Sequence, residues 1–182
     1  QRSSFHDGAI SIDFQKFFEN FSQALLKELD FEHEAENARR SMKIFAGDDR
    51  ICIPKIHDSL TTKRVLVMDF IDDAHKISEV DEIKAIFPET FEEIPKILIT
   101  SFAKMIFENG HIHCDPHPGN ILVRRRPSNP KLPQLVLLDH GFYCDLNDEF
   151  LEQWNNLWAC MVTMDYAGLR LISNEMGIGE YY

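Results

Sequence analysis

The stretch 110-GHIHCDPHPGNILV-123, followed closely by 135-LVLLDHG-141, decides how this chain is read. Two prolines inside HIHCDPHPGN stop it from forming a helix. ILVRR (121–125) and QLVLLD (134–139) read as the two short apolar strands of a β-hairpin, and RPSNPKLP (126–133) reads as an exposed linker. The apolar run before Asp139 sets that residue at a strand end, where its carboxylate can reach into a cleft. His113, Asp115 and Asn120 fit H-x-D-x-x-x-x-N, and Asp139 with Gly141 fits D-x-G. Phosphoryl transfer asks a protein for this set: one carboxylate near the acceptor, and hard oxygen ligands for a metal that bridges phosphates. As isolated turn residues, Asp115, Asn120 and Asp139 would signify little. Both half-motifs around one hairpin carry the phosphate-site reading.

Outward from this centre the pattern is mixed. Residues 91–109 form an amphipathic helix with Ile94, Ile97, Leu98, Phe102, Met105 and Ile106 on one side, ended by Asn109-Gly110. A shorter helix is expected around Val80–Ile86. ICIPKIHDSL (51–60) and KRVLVMDFI (63–71) read as two strands about a turn at Thr61-Thr62, the first at an edge because of Pro54, the second buried. Residues 12–46 read as a long helix, with Phe14, Phe17, Phe18, Phe21 and Leu25 on one face and a Glu36–Arg40 pair near the end. Residues 146–176 are mostly helical. The order is helix, two strands, helix, polar loop, hairpin, helix, an α+β arrangement.

Bulk properties set limits. The chain has 182 residues and a formal net charge of −11, which argues against a nucleic-acid binder. It has four cysteines with no CxxC pair, so no disulfide framework is expected. No apolar run approaches the roughly 18 residues of a membrane span. His111, His113, Cys114 and His117 invite a zinc reading, but two are sequence neighbours and no second cluster completes a tetrahedron. His113 is better read as holding the loop through a backbone hydrogen bond. The acidic helix segment offers Glu28, Glu32, Glu34 and Glu36 as the partner of a phosphate-positioning lysine, and spacing alone does not choose among them.

KELDFEHEAENARR, IPKIHDSLTTKRVLVMDFI, GHIHCDPHPGNILV and LVLLDHG together resemble the UbiB/aarF-domain atypical kinase-like family, also called the ABC1 family, over nearly the whole chain. The resemblance implies a partial protein-kinase-like fold, with 1–71 a remnant of the N-lobe and 72–182 the core of the C-lobe. It implies ATP and Mg²⁺ as cofactors. By position it makes Glu28 and Asp30 the acidic ExD motif and Glu34 the helix glutamate that pairs with the nucleotide lysine. Asp115 becomes the catalytic-loop aspartate, Asn120 and Asp139 the metal ligands, and Asp69 to Ile71 the backbone that meets the adenine edge. His113 belongs to the family's loop motif. His140 stands where many members carry Phe, as in mitochondrial aarF-domain proteins with DHG, which places its apolar packing in doubt. The family's biology implies a mitochondrial setting, a lipid or quinone-pathway component as partner, and peripheral membrane contact. The KxGQ segment, alanine-rich loop and strand lysine fall before Gln1 in this reading, so the isolated chain is expected to bind Mg-ATP weakly or not at all. A nucleotide-gated scaffold without turnover is the competing reading. A small-molecule phosphotransferase of the aminoglycoside-kinase type shares the HxDxxxxN logic but not DPHPGN.

Overall fold

The computed structural model describes residues 30–178. Helix α1 (Phe31–Ile44) begins at Asp30, whose side chain accepts the Glu32 N–H at 3.1 Å. Glu32 and Glu34 in its first turn suit the positive end of the helix dipole. Its buried face is small (Ala35, Asn37, Ala38 and Ser41), which lets other elements approach closely. The expected helix over 12–46 is therefore found over 31–44, and its phenylalanine face lies outside the described residues. The Glu36–Arg40 pair does not form. Glu36 bonds Arg39 at 2.8 Å instead, because Arg40 finds a bidentate carboxylate on Asp145, a stronger geometry than an exposed helix pair.

Strand β1 (Ile51–Cys52) is much shorter than expected. After it the chain doubles back as an irregular hairpin, with bridges Ile56–Met68 and Thr62–Val65. The His57 N–H donates to Val67 O at 2.8 Å and the Asp69 N–H to Lys55 O at 2.9 Å. KRVLVMDFI is not the regular buried strand that its β-branched sequence suggests: Val65 is 51% exposed and Phe70 86% exposed. Its pairing partner, 53–60, hangs beyond an edge strand, so only Ile53, Pro54 and Ile56 turn into the core.

The main sheet adds β2 (Ala74–Lys76), β4 (Ile121–Arg126) and β5 (Asn129–Leu137) in the order β1-β5-β4-β2. β4 and β5 form the expected hairpin, with Ile121 opposite Leu137 and Val123 opposite Leu135. The linker is shorter than its prolines imply. Only Pro127 and Ser128 turn, and β5 runs back through Pro130 and Pro133. β1 pairs with β5 only at Leu135 and Val136, so the proline end of β5 meets no β1 residue that needs its N–H.

α2 (Val80–Ile86) and α3 (Glu93–Ala103) cover the sheet, with Ile83, Ile94 and Ile97 buried. A π-helical turn (Lys104–Asn109) continues α3 and ends at Gly110, whose φ of +58° glycine adopts without strain. β3 (His111–His113) and β6 (Tyr143–Asp145) form a second, two-stranded sheet. The expected helical region after residue 146 is two helices, α4 (Asp148–Thr163) and α5 (Tyr166–Glu175), broken at the left-handed Met164 and capped by Asn147 and Asp165. One core cluster joins Ala35 of α1, Ile83 of α2, Ile97 of α3 and Leu135 of β5. Leu135 is fully buried in a strand flanked on both sides. Leu135→Ala is expected to cost about 3 kcal/mol, read as a lowered denaturant midpoint; a loss well under 1 kcal/mol would mean that this strand is not central to the core.

Candidate nucleotide and metal site

The site lies where α1, the loop after β3 and the end of β5 converge. The β5 ladder ends at Leu137, and the Leu138 N–H bonds the Asn120 carbonyl at 3.0 Å, which draws the two half-motifs together. The Asn120 amide then donates to Asp139 Oδ2 at 2.8 Å. The Gly141 N–H donates to Asp139 Oδ1 at 2.9 Å. A Cβ at Gly141 would press on that carboxylate at 3.3 Å, which explains a glycine there. Glu34 reaches across from α1, and its Oε1 accepts the His140 N–H at 3.2 Å. Phe31, Glu34, Asp115, Asp139, Gly141 and Phe142 line one open cleft of about 290 Å³.

The loop is built by its own side chains. His113 Nδ1 accepts the Asp115 N–H at 3.3 Å. The His117 N–H donates to Asp115 O at 2.8 Å, and His117 Nδ1 accepts the Gly119 N–H at 3.0 Å, starting the 3₁₀ turn Pro118–Asn120. His111 Nδ1 meets Asp145 Oδ1 at 2.7 Å. Each histidine of the zinc reading thus has a structural partner. Among the described residues no three or more His, Cys, Asp or Glu side chains gather as a metal cage. Asn120 and Asp139 supply a two-residue oxygen set, which fits an ion that completes its shell with phosphates and water, as Mg²⁺ does.

His140 resolves the doubt over its packing. It is 2% exposed, and both ring nitrogens are satisfied. Nε2 faces only the Leu137 carbonyl at 3.2 Å, so Nε2 carries the proton and donates it. Nδ1 therefore accepts from the Tyr143 hydroxyl at 2.9 Å, and the Tyr143 oxygen accepts from Ser41 at 3.1 Å. Burial holds the His140 imidazole neutral, with its pKa pushed down to about 4. Tyr143 stacks on His111 and His113 at centroid distances of 4.4 and 5.0 Å, and burial pushes its phenol pKa upward. Burial raises the Glu34 carboxyl above its usual value, and the negative charge of Asp139 adds to this. The Arg40 guanidinium, followed by His111, holds Asp145 down at about 2.

Asp30 caps α1 with Lys63 Nζ 3.7 Å away, and Glu28 lies outside the described residues. Asp69 and Ile71 do not line the cleft of Asp115 and Asp139, and the Asp69 N–H is engaged within its own hairpin. The sequence reading missed Asn37, Ser41 and Tyr143. The Asn37 amide donates to the His140 carbonyl at 2.9 Å, so one face of α1 grips both ends of that residue. The partners stand 103 residues apart, and no local pattern announces such a bond. Asn37→Ala strands the His140 carbonyl in a site 3% exposed, with an expected loss of about 1–3 kcal/mol in chemical denaturation; an unchanged midpoint would show that water replaces the amide freely.

Glu34 on the helix, Asp115 on the loop and the Asp139-His140-Gly141 turn surround one cleft, the arrangement of a kinase-like domain. The sequence comparisons agree: the model for the ABC1 atypical kinase-like domain matches residues 2–173, and the chain belongs to that family. It is 38% identical over 159 residues to AarF domain-containing protein kinase 1 of Mus musculus, covering 85% of this chain and 29% of that protein. It is 36% identical over 171 residues to the ABC1 family protein lscO of Purpureocillium lilacinum, covering 85% of this chain and 29% of that one. The chain therefore spans about a third or less of the curated relatives it matches. Among solved structures it is similar to Rv3197 from Mycobacterium tuberculosis, seen in complex with erythromycin, at TM-score 0.65 and 19% identity, over 92% of this chain and 40% of that one. That likeness shows the fold.

Proposed function

We propose that this chain is the phosphate- and metal-binding part of an ATP-dependent atypical kinase or ATPase. The observation that carries the reading is the convergence of Asn120 and Asp139, bonded to each other beside a cleft that also takes in Asp115 and Glu34. Asn120 Oδ1 and the Asp139 carboxylate would hold Mg²⁺, which when bound neutralises charge on the nucleotide phosphates. The Asp115 carboxylate would orient an acceptor hydroxyl or water and take its proton. Glu34 and the amides of the Asp139 loop would keep α1 and the metal-binding loop in one register. The lobe division at about residue 71 and the adenine contact at Asp69 to Ile71 belong to the same reading. So do a mitochondrial setting, a lipid or quinone-pathway partner and contact with a membrane surface, all supported by family membership alone. Among the described residues no helix is long and apolar enough to cross a membrane.

Calorimetric titration of the full-length protein with ATP, in Mg²⁺ and in chelator, tests this. Binding that depends on Mg²⁺ supports it, and equal binding in both overturns the metal assignment. Asp115→Asn then separates turnover from binding. Retained affinity with lost turnover is expected of a kinase or ATPase; a wild-type protein that binds without any turnover favours the nucleotide-gated scaffold. The isolated chain is expected to show little affinity, and micromolar binding would refute that.

A further inference from the structure

Four cysteines are scattered through the sequence, but the β3–β6 ribbon brings two of them together. Ile112 pairs with Cys144 and His113 with Tyr143. The Cys114 N–H donates to Phe142 O at 3.0 Å, extending the same ladder by one step. Side chains alternate across a strand, so Cys114 and Cys144 stand on one face of the ribbon as diagonal neighbours. Both are free and exposed, whereas Cys52 and Cys160 are half-buried. The opposite face carries the buried histidines and Tyr143. Cys114 Sγ lies 3.4 Å from the Ile112 carbonyl, against the strand that faces Cys144. Its thiol is pushed up by burial and by the neighbouring Cys144 thiol, while the Cys144 backbone pulls it the other way.

We propose that Cys114 and Cys144 form a reversible dithiol–disulfide pair that takes low-molecular-weight disulfides such as glutathione disulfide, and that its oxidation slows chemistry at Asp115. The functional half of this rests on the phosphoryl-transfer reading above. Written from Cys144, its thiolate attacks one sulfur of glutathione disulfide, a mixed disulfide forms, and one glutathione thiolate leaves. Cys114 then loses its proton, attacks the Cys144 sulfur and expels the second glutathione. Two cysteine thiols become one disulfide, and two electrons pass to the oxidant. The two protons end on the two glutathione thiols. Diagonal neighbours sit about 7–8 Å apart, beyond the usual disulfide span of about 6 Å, so closing the bond draws Cys114 along the ribbon by about 1 Å. Asp115 is the next residue, and its N–H is bonded to His113 on the same strand. Part of that shift passed on to Asp115 is expected to slow turnover roughly tenfold.

The test equilibrates the full-length protein in graded ratios of reduced to oxidised glutathione, with alkylation and non-reducing peptide mapping. Expected is a cross-linked peptide pair containing Cys114 and Cys144, two hydrogen masses lighter than the reduced pair and restored by dithiothreitol. Cys114→Ser should trap the mixed disulfide as a glutathione adduct on Cys144. Adducts on single cysteines in the wild type, or first reaction at Cys52 or Cys160, would overturn the pairing. Turnover should fall roughly tenfold on oxidation and recover on reduction, while Cys144→Ser stays insensitive. Unchanged turnover in the cross-linked protein would overturn the control of Asp115. The peptide map needs no nucleotide, so a reduced protein without turnover would sink the kinase reading and leave the dithiol pair decided by its own measurement.

Discussion

Asp139→Asn in the full-length protein is expected to weaken Mg-nucleotide binding by at least about a hundredfold, since even partners one shell removed from a metal typically cost 10–100-fold. The substitution keeps the shape of the side chain and removes its charge. It also creates a local conflict. Asp139 accepts from Asn120 Nδ2 through one oxygen and from the Gly141 N–H through the other. An asparagine has one acceptor oxygen for these two donors, so one must face an NH₂ group. A modest fall in thermal stability should accompany the loss of binding. Binding measured without Mg²⁺ should change little. If the variant binds Mg-nucleotide as the wild type does, Asp139 serves only to order the loop and the proposed metal site is wrong. If it unfolds outright, Asn120→Asp gives the second reading, because it keeps an oxygen toward the metal while removing the amide donor.

The second large effect is on stability against pH. His140 has a folded pKa of about 4 against an ordinary 6.5. Its proton is bound more readily by the unfolded chain, so the neutral imidazole's contribution is complete above pH 6.5 and falls away as pH drops toward 4. At about 1.4 kcal/mol per unit the loss is about 3 kcal/mol. The cause is burial: a charged ring would need to donate from Nδ1, where the Tyr143 hydroxyl already points its proton. His113, also lowered by burial, acts in the same direction, while Glu34, raised by burial, acts in the opposite one at the acid end. Urea denaturation in metal-free buffer at pH 8 and pH 5 should show about 2 kcal/mol of this loss, because pH 5 is still one unit above the folded pKa. His140→Phe should flatten most of the slope while leaving the part due to His113. A wild-type slope no steeper than that of the variant would show that His140 is not held neutral in the fold.

The local elements were legible where one principle dominated. Asn109-Gly110 marked the end of a helix because a positive φ favours glycine, and ILVRR with QLVLL marked a hairpin because two short apolar runs flank a proline-rich turn. KRVLVMDFI failed because β-branched composition reports what a pleated surface accepts, not whether a second strand is there to pair with. Residues 146–176 are mostly helical as expected, but the break at Met164 was not legible, because a left-handed residue there is not announced by its side chain. The expected linker failed because proline forbids a donated bond only where one is needed.

Residue types and their spacing were enough to nominate the chemistry: which residues could hold a metal, which carboxylate could meet an acceptor, and that these stood at the ends of short apolar strands. Those facts follow from side-chain type and from spacing within one loop and one hairpin. How the set is held follows from packing. Spacing alone left Glu34 among four candidate glutamates, the family resemblance singled it out, and the fold set it against the Asp139 loop. His140 looked like a polar misfit until Tyr143, Ser41 and Leu137 were placed around it. Cys114 and Cys144 were unrelated until the β3–β6 register made them neighbours. Contacts across a hundred residues depend on how helices and strands pack, and packing is a property of the whole core.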